Sequence, residues 1–199
     1  VDGRDRCQPD PEGNNRYTGE ETGSAVEVRY IYETITEPAA TVEVSYQVDA
    51  RGSILVTAHY CGKEGLPELP VFGMRFILPT LAPGFTYEGL SGETYPDRMA
   101  GGVPGVYEVE GLPVTPYLVP QDCGVHMESK WVRIRPGAAA DNVTKGPLAL
   151  GARTCSEEED CLEIRMADAP FAFSCLPYTA QELENATHQE ELPGARRTV

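Results

Sequence analysis

Alternation of apolar with polar residues at a period of two, repeated in short segments between turns, is the feature that constrains this chain most. Val26, Val28, Tyr30 and Tyr32 alternate with Glu27, Arg29, Ile31 and Glu33, and Val42, Val44, Tyr46 and Val48 do so against Thr41, Glu43, Ser45 and Gln47. Successive side chains of a strand point to opposite faces, so each segment reads as a strand with one mostly buried face. Asp49-Ala50-Arg51-Gly52 fits a tight hairpin turn, with Ile54, Val56, Ala58 and Tyr60 on the returning strand. Three consecutive antiparallel strands are therefore expected. Phe72, Met74, Phe76 and Leu78, with Arg75 on the other face, predict a fourth, ended by Pro79, Pro83 and Gly84.

Shorter strands are expected at Phe85–Tyr87, Val106–Val109, Trp131–Ile134, Leu162–Met166 and Phe171–Leu176. Thr179-Ala180-Gln181-Glu182 has the pattern of a capping box and predicts a helix over Thr179–Gln189, stopped by Pro193 and Gly194. Residues 1–22 are polar and turn-rich and read as an irregular lead-in; residues 23–199 read as one region. Many short strands with frequent turns and a single short helix near the C-terminus make the expected class all-β, in a sandwich-like architecture.

The balance of 16 basic against 31 acidic residues, net charge −15, argues against nucleic acid and anionic membranes, which bind basic surfaces. No run of about 18 apolar residues marks a membrane span, and residues 1–22 lack the apolar core of a signal peptide. A cytoplasmic location is the expectation. Cys7, Cys61, Cys123, Cys155, Cys161 and Cys175 include no Cys-x-x-Cys pair, although Cys155 and Cys161 are close enough for a local bridge around Ser156-Glu157-Glu158-Glu159-Asp160. His59, His126 and His188 are not spaced as zinc ligands around a cysteine pair. The sequons at Asn142 and Asn185 read as chance occurrences.

Candidate chemistry concentrates between Gly89 and Trp131. Glu93, Asp97 and Arg98 place three charges around the bend fixed by Pro96, with Asp122 on a later loop. Two carboxyl groups at the right separation hydrolyse glycosides. The same residues equally suit a structural lock, in which an arginine fork holds a carboxylate. The reading favours the lock and assigns no catalytic residue. His59 reads as a surface residue, His126 as a loop residue, and His188 as a cation near the helix end. No nucleophile motif surrounds a serine or cysteine. Tyr95, Tyr117, Trp131 and Tyr178 lie near turns, where aromatic rings stack on sugars or simply join a core.

Gly89-Leu90-Ser91-Gly92-Glu93-Thr94-Tyr95-Pro96-Asp97-Arg98 resembles a Gly-x-Gly-x-x-Glu-x-Tyr-x-Asp-Arg block of the C-terminal β-sandwich domain (small chain) of bacterial β-galactosidases, glycoside hydrolase family two. Pro116-Tyr117-Leu118-Val119-Pro120-Gln121, Gly124, Glu128 and Trp131 form a second similar block. Phe171-Ala172-Phe173-Ser174 with Tyr178-Thr179, Leu183 and Ala186-Thr187-His188 form a third. The resemblance runs over roughly residues 25–192 and implies part of an antiparallel, galactose-mutarotase-like supersandwich.

It also implies a parent enzyme that hydrolyses terminal β-galactosides with retention. That enzyme's catalytic glutamates, and the magnesium and sodium it often uses, lie in a separate barrel to which no position here corresponds. The chain is accordingly expected to be a non-catalytic accessory region, with no cofactor of its own. Its expected partners are the other domains of the parent, above all the catalytic barrel, in a possible oligomer. An independent carbohydrate-binding sandwich using Tyr95, Tyr117 or Trp131, and an assembly module without a ligand, are the alternatives.

Overall fold

The structure, a computed structural model, describes residues 25–116, 118, 122–137, 161–186 and 188–199. The lead-in, Cys7, Cys155, the Asn142 sequon, Tyr117, Val119-Pro120-Gln121 and Thr187 lie outside these residues. The chain divides into two compact units, residues 1–72 and 73–199.

In the first unit, β1 (Ala25–Glu33), β2 (Thr41–Asp49) and β3 (Ile54–Cys61) form an antiparallel sheet in the order β1-β2-β3. The expected hairpin is present. The Asp49 carboxylate accepts the backbone N–H groups of Arg51 (2.8 Å) and Ser53 (2.9 Å), and Gly52 takes the left-handed backbone that the turn requires, with φ +86°. The register places Val26, Val48 and Ile54 in one cross-strand row, Val28, Tyr46 and Val56 in the next, then Tyr30, Val44 and Ala58, then Tyr32, Val42 and Tyr60. All the apolar members of the alternation thus share one face. His59, on the opposite face, is exposed, as expected.

The predicted fourth strand does not form. Residues 71–77 are exposed and join no strand, and Leu78 alone pairs, in an isolated bridge to Thr198. Alternation provided the side-chain pattern of a strand; no described neighbour supplies the backbone ladder that a strand needs.

The second unit is built on a four-stranded antiparallel sheet in the order β5 (Pro104–Glu110), β4 (Gly84–Leu90), β7 (Trp131–Ile134), β8 (Leu162–Arg165). A two-stranded ladder pairs β6 (His126–Ser129) with β9 (Phe171–Phe173). Strand β4 is hydrogen-bonded on both edges, and Phe85 and Tyr87 are each 1% exposed. They pack with Ala82, Val132, Ile134 and Cys175 in one core cluster. A second cluster gathers Leu118, Cys123, Leu176, Leu183 and Ala186.

The capping box forms as expected. Thr179 Oγ1 accepts from the Glu182 N–H, and the Glu182 carboxylate accepts from the Thr179 N–H (2.8 Å). The helix, α1 (Ala180–Asn185), is shorter than expected. Ala186 turns to extended backbone, is buried in the second cluster, and is followed by a 3-10 turn, Gln189–Glu191, that Leu192 ends. A helix of two turns has little stability of its own, so packing of Ala186 and Leu192 decides where it stops. His188 therefore stands at the start of the 3-10 turn and not at a helix C-terminus, and the expected dipole contact does not arise.

Candidate functional site

Strand β4 runs out of the core at Leu90 into Ser91 and Gly92, whose φ of +66° needs glycine. The loop that follows is tied at three points to Val125 and the first two residues of β6. The Thr94 N–H donates to the Val125 carbonyl (2.8 Å), Thr94 Oγ1 accepts from the Met127 N–H (2.9 Å), and His126 Nδ1 donates to the Gly92 carbonyl (2.9 Å). Thr94 is consequently buried, 3% exposed, in a loop that is otherwise polar. Close approach of the strands demands a second glycine here. A methyl group on Gly89 would stand 2.8 Å from Ser129 Oγ.

His126 opens β6 and is buried, which corrects its expected place in a loop. Its ring lies 4.5 Å from that of Tyr87, 5.1 Å from Phe173 in a stacked arrangement, and 5.6 Å from Phe85. Burial among these rings lowers its proton affinity, against the smaller opposing effect of the Gly92 carbonyl. The imidazole is held as a neutral donor. Glu128, two residues on, has φ +54° and sits in a bulge of the β6–β9 ladder, where the register shifts between His126 and Ser129.

Loop, core and β6 surround a recess of about 250 Å³ lined by Phe85, Gly92, Glu93, Val109, Pro113, Gly124, His126, Cys175 and Leu176. Its walls are mostly apolar. Burial pushes the Cys175 thiol up to about 12, so it stays protonated and unreactive.

Glu93 borders the recess, and Asp97 and Arg98 are exposed. Tyr95 stands between the charges. Its hydroxyl donates to Glu93 Oε2 (3.0 Å), and the Arg98 guanidinium lies 5.0 Å from its ring centroid. Partial burial, with the Glu93 hydrogen bond adding to it, pushes the Tyr95 phenol up to about 12. The Tyr95 ring thus makes contact with both the Glu93 carboxylate and the Arg98 guanidinium. The bend itself closes by the Arg98 N–H to the Tyr95 carbonyl (2.9 Å).

Trp131 is occupied too. Its indole N–H donates to Glu88 Oε2 (2.8 Å), Lys130 Nζ pairs with Glu88 Oε1 (2.7 Å), and the Arg133 guanidinium lies 5.0 Å from the ring centroid. Tyr178 packs against the second core cluster. Neither Tyr95 nor Trp131 presents an unengaged ring as a sugar platform.

The sequence reading missed His126 as the pivot of the site. Its partner, the Gly92 carbonyl, is 34 residues away, and no local pattern marks that pairing. Among the described residues no group of three His, Cys, Asp or Glu side chains converges as metal ligands.

Geometry of this kind defines an antiparallel β protein in which a glycine- and proline-bounded loop is pinned to the core by buried polar contacts. Residues 6–199 match the family described as beta galactosidase small chain, and the chain belongs to that family. It is 58% identical over 199 residues to the beta-galactosidase small subunit of Latilactobacillus sakei, covering all of this chain and 59% of that protein. It is 33% identical over 170 residues to a beta-galactosidase of Streptococcus thermophilus, covering 84% of this chain and 15% of the relative. A beta-galactosidase of Bifidobacterium adolescentis is 33% identical over 178 residues, 87% of this chain and 15% of that protein. The chain therefore spans about three fifths of its small-subunit relative and a small part of the longer ones. Among the described residues no helix is long and apolar enough to cross a membrane.

Proposed function

We propose that this chain is a non-catalytic accessory part of a β-galactosidase, acting only in association with a catalytic polypeptide. The observation that carries the reading is the match of its whole length to a relative named as a β-galactosidase small subunit. The state of the candidate groups supports it. Glu93 is engaged by Tyr95, His126 is buried and neutral, and the Cys175 thiol is protonated, so the polar residues around the recess serve to fix a loop.

In this reading the parent is a retaining family-two enzyme. The carboxylates that form and break its galactosyl intermediate, with any magnesium and sodium, reside in the barrel of the catalytic polypeptide. The present chain adds part of a mutarotase-like supersandwich that supports the barrel, within a cytoplasmic assembly. The test is an assay with a chromogenic β-galactoside of the purified chain alone and after mixing with the catalytic polypeptide. No turnover alone and turnover on mixing is the expected result. Turnover by the chain alone that disappears in Glu93→Gln would overturn it and move Glu93 into an active site.

A further inference from the structure

His126 is 6% exposed and engages only one of its two ring nitrogens among the described residues. Its Nδ1 stands 2.9 Å from the Gly92 carbonyl, and a carbonyl only accepts, so the ring proton is on Nδ1. Burial keeps the imidazole neutral, which leaves Nε2 as a lone-pair acceptor. Among the described residues the one side-chain nitrogen or oxygen that is buried without a partner is Arg135 Nε. His126 Nε2 therefore opens to space that a small molecule can reach, and the space His126 lines is the recess of about 250 Å³.

Glu93 brings a second acceptor to the same recess. Its Oε2 accepts the Tyr95 hydroxyl at 3.0 Å, and a carboxylate has about four acceptor sites on its two oxygens, so capacity is left over. No lysine or arginine is among the described residues that line the recess, and Phe85, Val109, Pro113 and Leu176 make its walls apolar. Two acceptors without an opposing donor call for a ligand that supplies the donors. A primary ammonium brings three N–H groups and no acceptor. It also brings positive charge to a carboxylate set beside apolar walls, where a charge-assisted hydrogen bond is strong. The chain's net charge of −15 draws cations toward it. At about 30 Å³ for each water of the liquid, the recess has room for roughly eight, or for about seven carbons with one amine.

We propose that the recess is a binding site for a small primary amine, its ammonium held by the Glu93 carboxylate and His126 Nε2 and its hydrocarbon body against Phe85, Val109, Pro113 and Leu176. The site stands on these two side chains and the recess, independently of the accessory role in a β-galactosidase. It uses the acceptors that fixing the loop leaves over: the second nitrogen of His126 and the remaining capacity of Glu93.

Residue-resolved NMR titration of the full chain at pH 7.5, in about 0.15 M salt to screen diffuse attraction, tests the site. The probes are cyclohexylmethylamine, protonated at this pH, and cyclohexylmethanol, of the same size and without charge. The expected result is saturable shifts of the Gly92, Glu93 and Gly124 amides and of the His126 Nε2 resonance. The amine binds about tenfold or more tightly than the alcohol, since its hydrogen bonds are charge-assisted. In Glu93→Gln, which keeps an acceptor for the Tyr95 hydroxyl, that preference disappears and the affinity for the alcohol is unchanged. Absence of saturable shifts at the recess overturns the proposal, and so does equal or tighter binding of the alcohol. Amine-induced shifts spread over exposed acidic residues, or undiminished in Glu93→Gln, also overturn it, by assigning them to diffuse attraction of a cation. The comparison of the two probes uses the unaltered chain and decides the matter even where the variant does not fold. No galactoside or catalytic polypeptide enters the measurement, so its failure and a failure of the functional reading are told apart.

Discussion

Two antiparallel sheets in this molecule share a period-two alternation and reach opposite degrees of burial. In the β1-β2-β3 sheet every residue of β1 is exposed, with Val26 at 47% and Tyr30 at 41%. In the β5-β4-β7-β8 sheet, Phe85 and Tyr87 are each 1% exposed. The first sheet collects its apolar residues on one face without enclosing most of them; the second is closed by Phe171, Phe173 and Cys175. Alternation decides which side chains share a face, and a second layer decides whether that face leaves water.

The sharpest test of this contrast is a pair of truncations. Phe85→Ala should cost about 3–5 kcal/mol of stability, the usual range for emptying a buried aromatic site. Tyr30→Ala should cost far less, because its ring is already partly in water. Denaturant unfolding of the two variants measures both. Equal losses would mean that the β1–β3 face is covered in solution and would break the comparison.

Gly89→Ala probes how closely β4 approaches β6. The added methyl meets Ser129 Oγ at 2.8 Å and the Met127 carbonyl at 3.2 Å, both held by the ladder. A loss of about 1–3 kcal/mol is expected from overpacking. The double variant with Ser129→Ala should recover part of it, since the nearest obstructing atom is removed. A thermal melt of the single variant that matches the parent would show that the two strands have room to part.

A third prediction concerns pH. Burial lowers the proton affinity of His126 in the folded state below the ordinary value of 6.5. Between the folded and unfolded values the unfolded chain binds more protons, so stability rises with pH there. The contribution is complete above about 6.5 and is lost as pH falls through the folded value. Thermal unfolding between pH 7.5 and pH 5 should show this decline, and His126→Gln should flatten it. Because His126 lies in the second unit, residue-resolved hydrogen exchange should show the acid-induced loss there and not in β1–β3. Glu88, Glu163 and Glu182, whose carboxyls are held below the usual range by their hydrogen-bond partners, lose their contributions only at lower pH.

The smallest effect is expected at Arg98. Its contact with Tyr95 is at an exposed site, where a cation–π pair contributes about 0.5–1 kcal/mol. Arg98→Ala should therefore shift the melting temperature little in this chain. A loss of several kcal/mol would restore the buried lock that the sequence suggests. A loss of assembly with a catalytic polypeptide, with stability unchanged, would place Arg98 at an interface.

The sequence by itself determined the elements whose partners are near in the chain. The β2–β3 hairpin is legible because Asp49 and Gly52 carry its turn, and the start of α1 because Thr179 and Glu182 satisfy each other across three residues. It also determined the all-β class and the row-by-row sharing of one face by Val26, Tyr30, Val44 and Val56, since side-chain direction along a strand follows from backbone geometry alone.

Tertiary structure decided what depends on distant partners. Residues 72–78 have the alternation of a strand and no ladder, because backbone hydrogen bonds come from another segment. The helix ends at Asn185 because Ala186 is drawn into a cluster with Leu118 and Cys123. His126, unremarkable in sequence, becomes the neutral donor that fixes Gly92 because Phe85, Tyr87 and Phe173 remove it from water. Local rules set backbone direction and capping; burial and proton affinity arise only when residues far apart in the chain are brought together. Glu93, Asp97 and Arg98 are recognisable in the sequence as a charged group, while the place of the Tyr95 ring in contact with Glu93 and Arg98 is seen only in the folded loop.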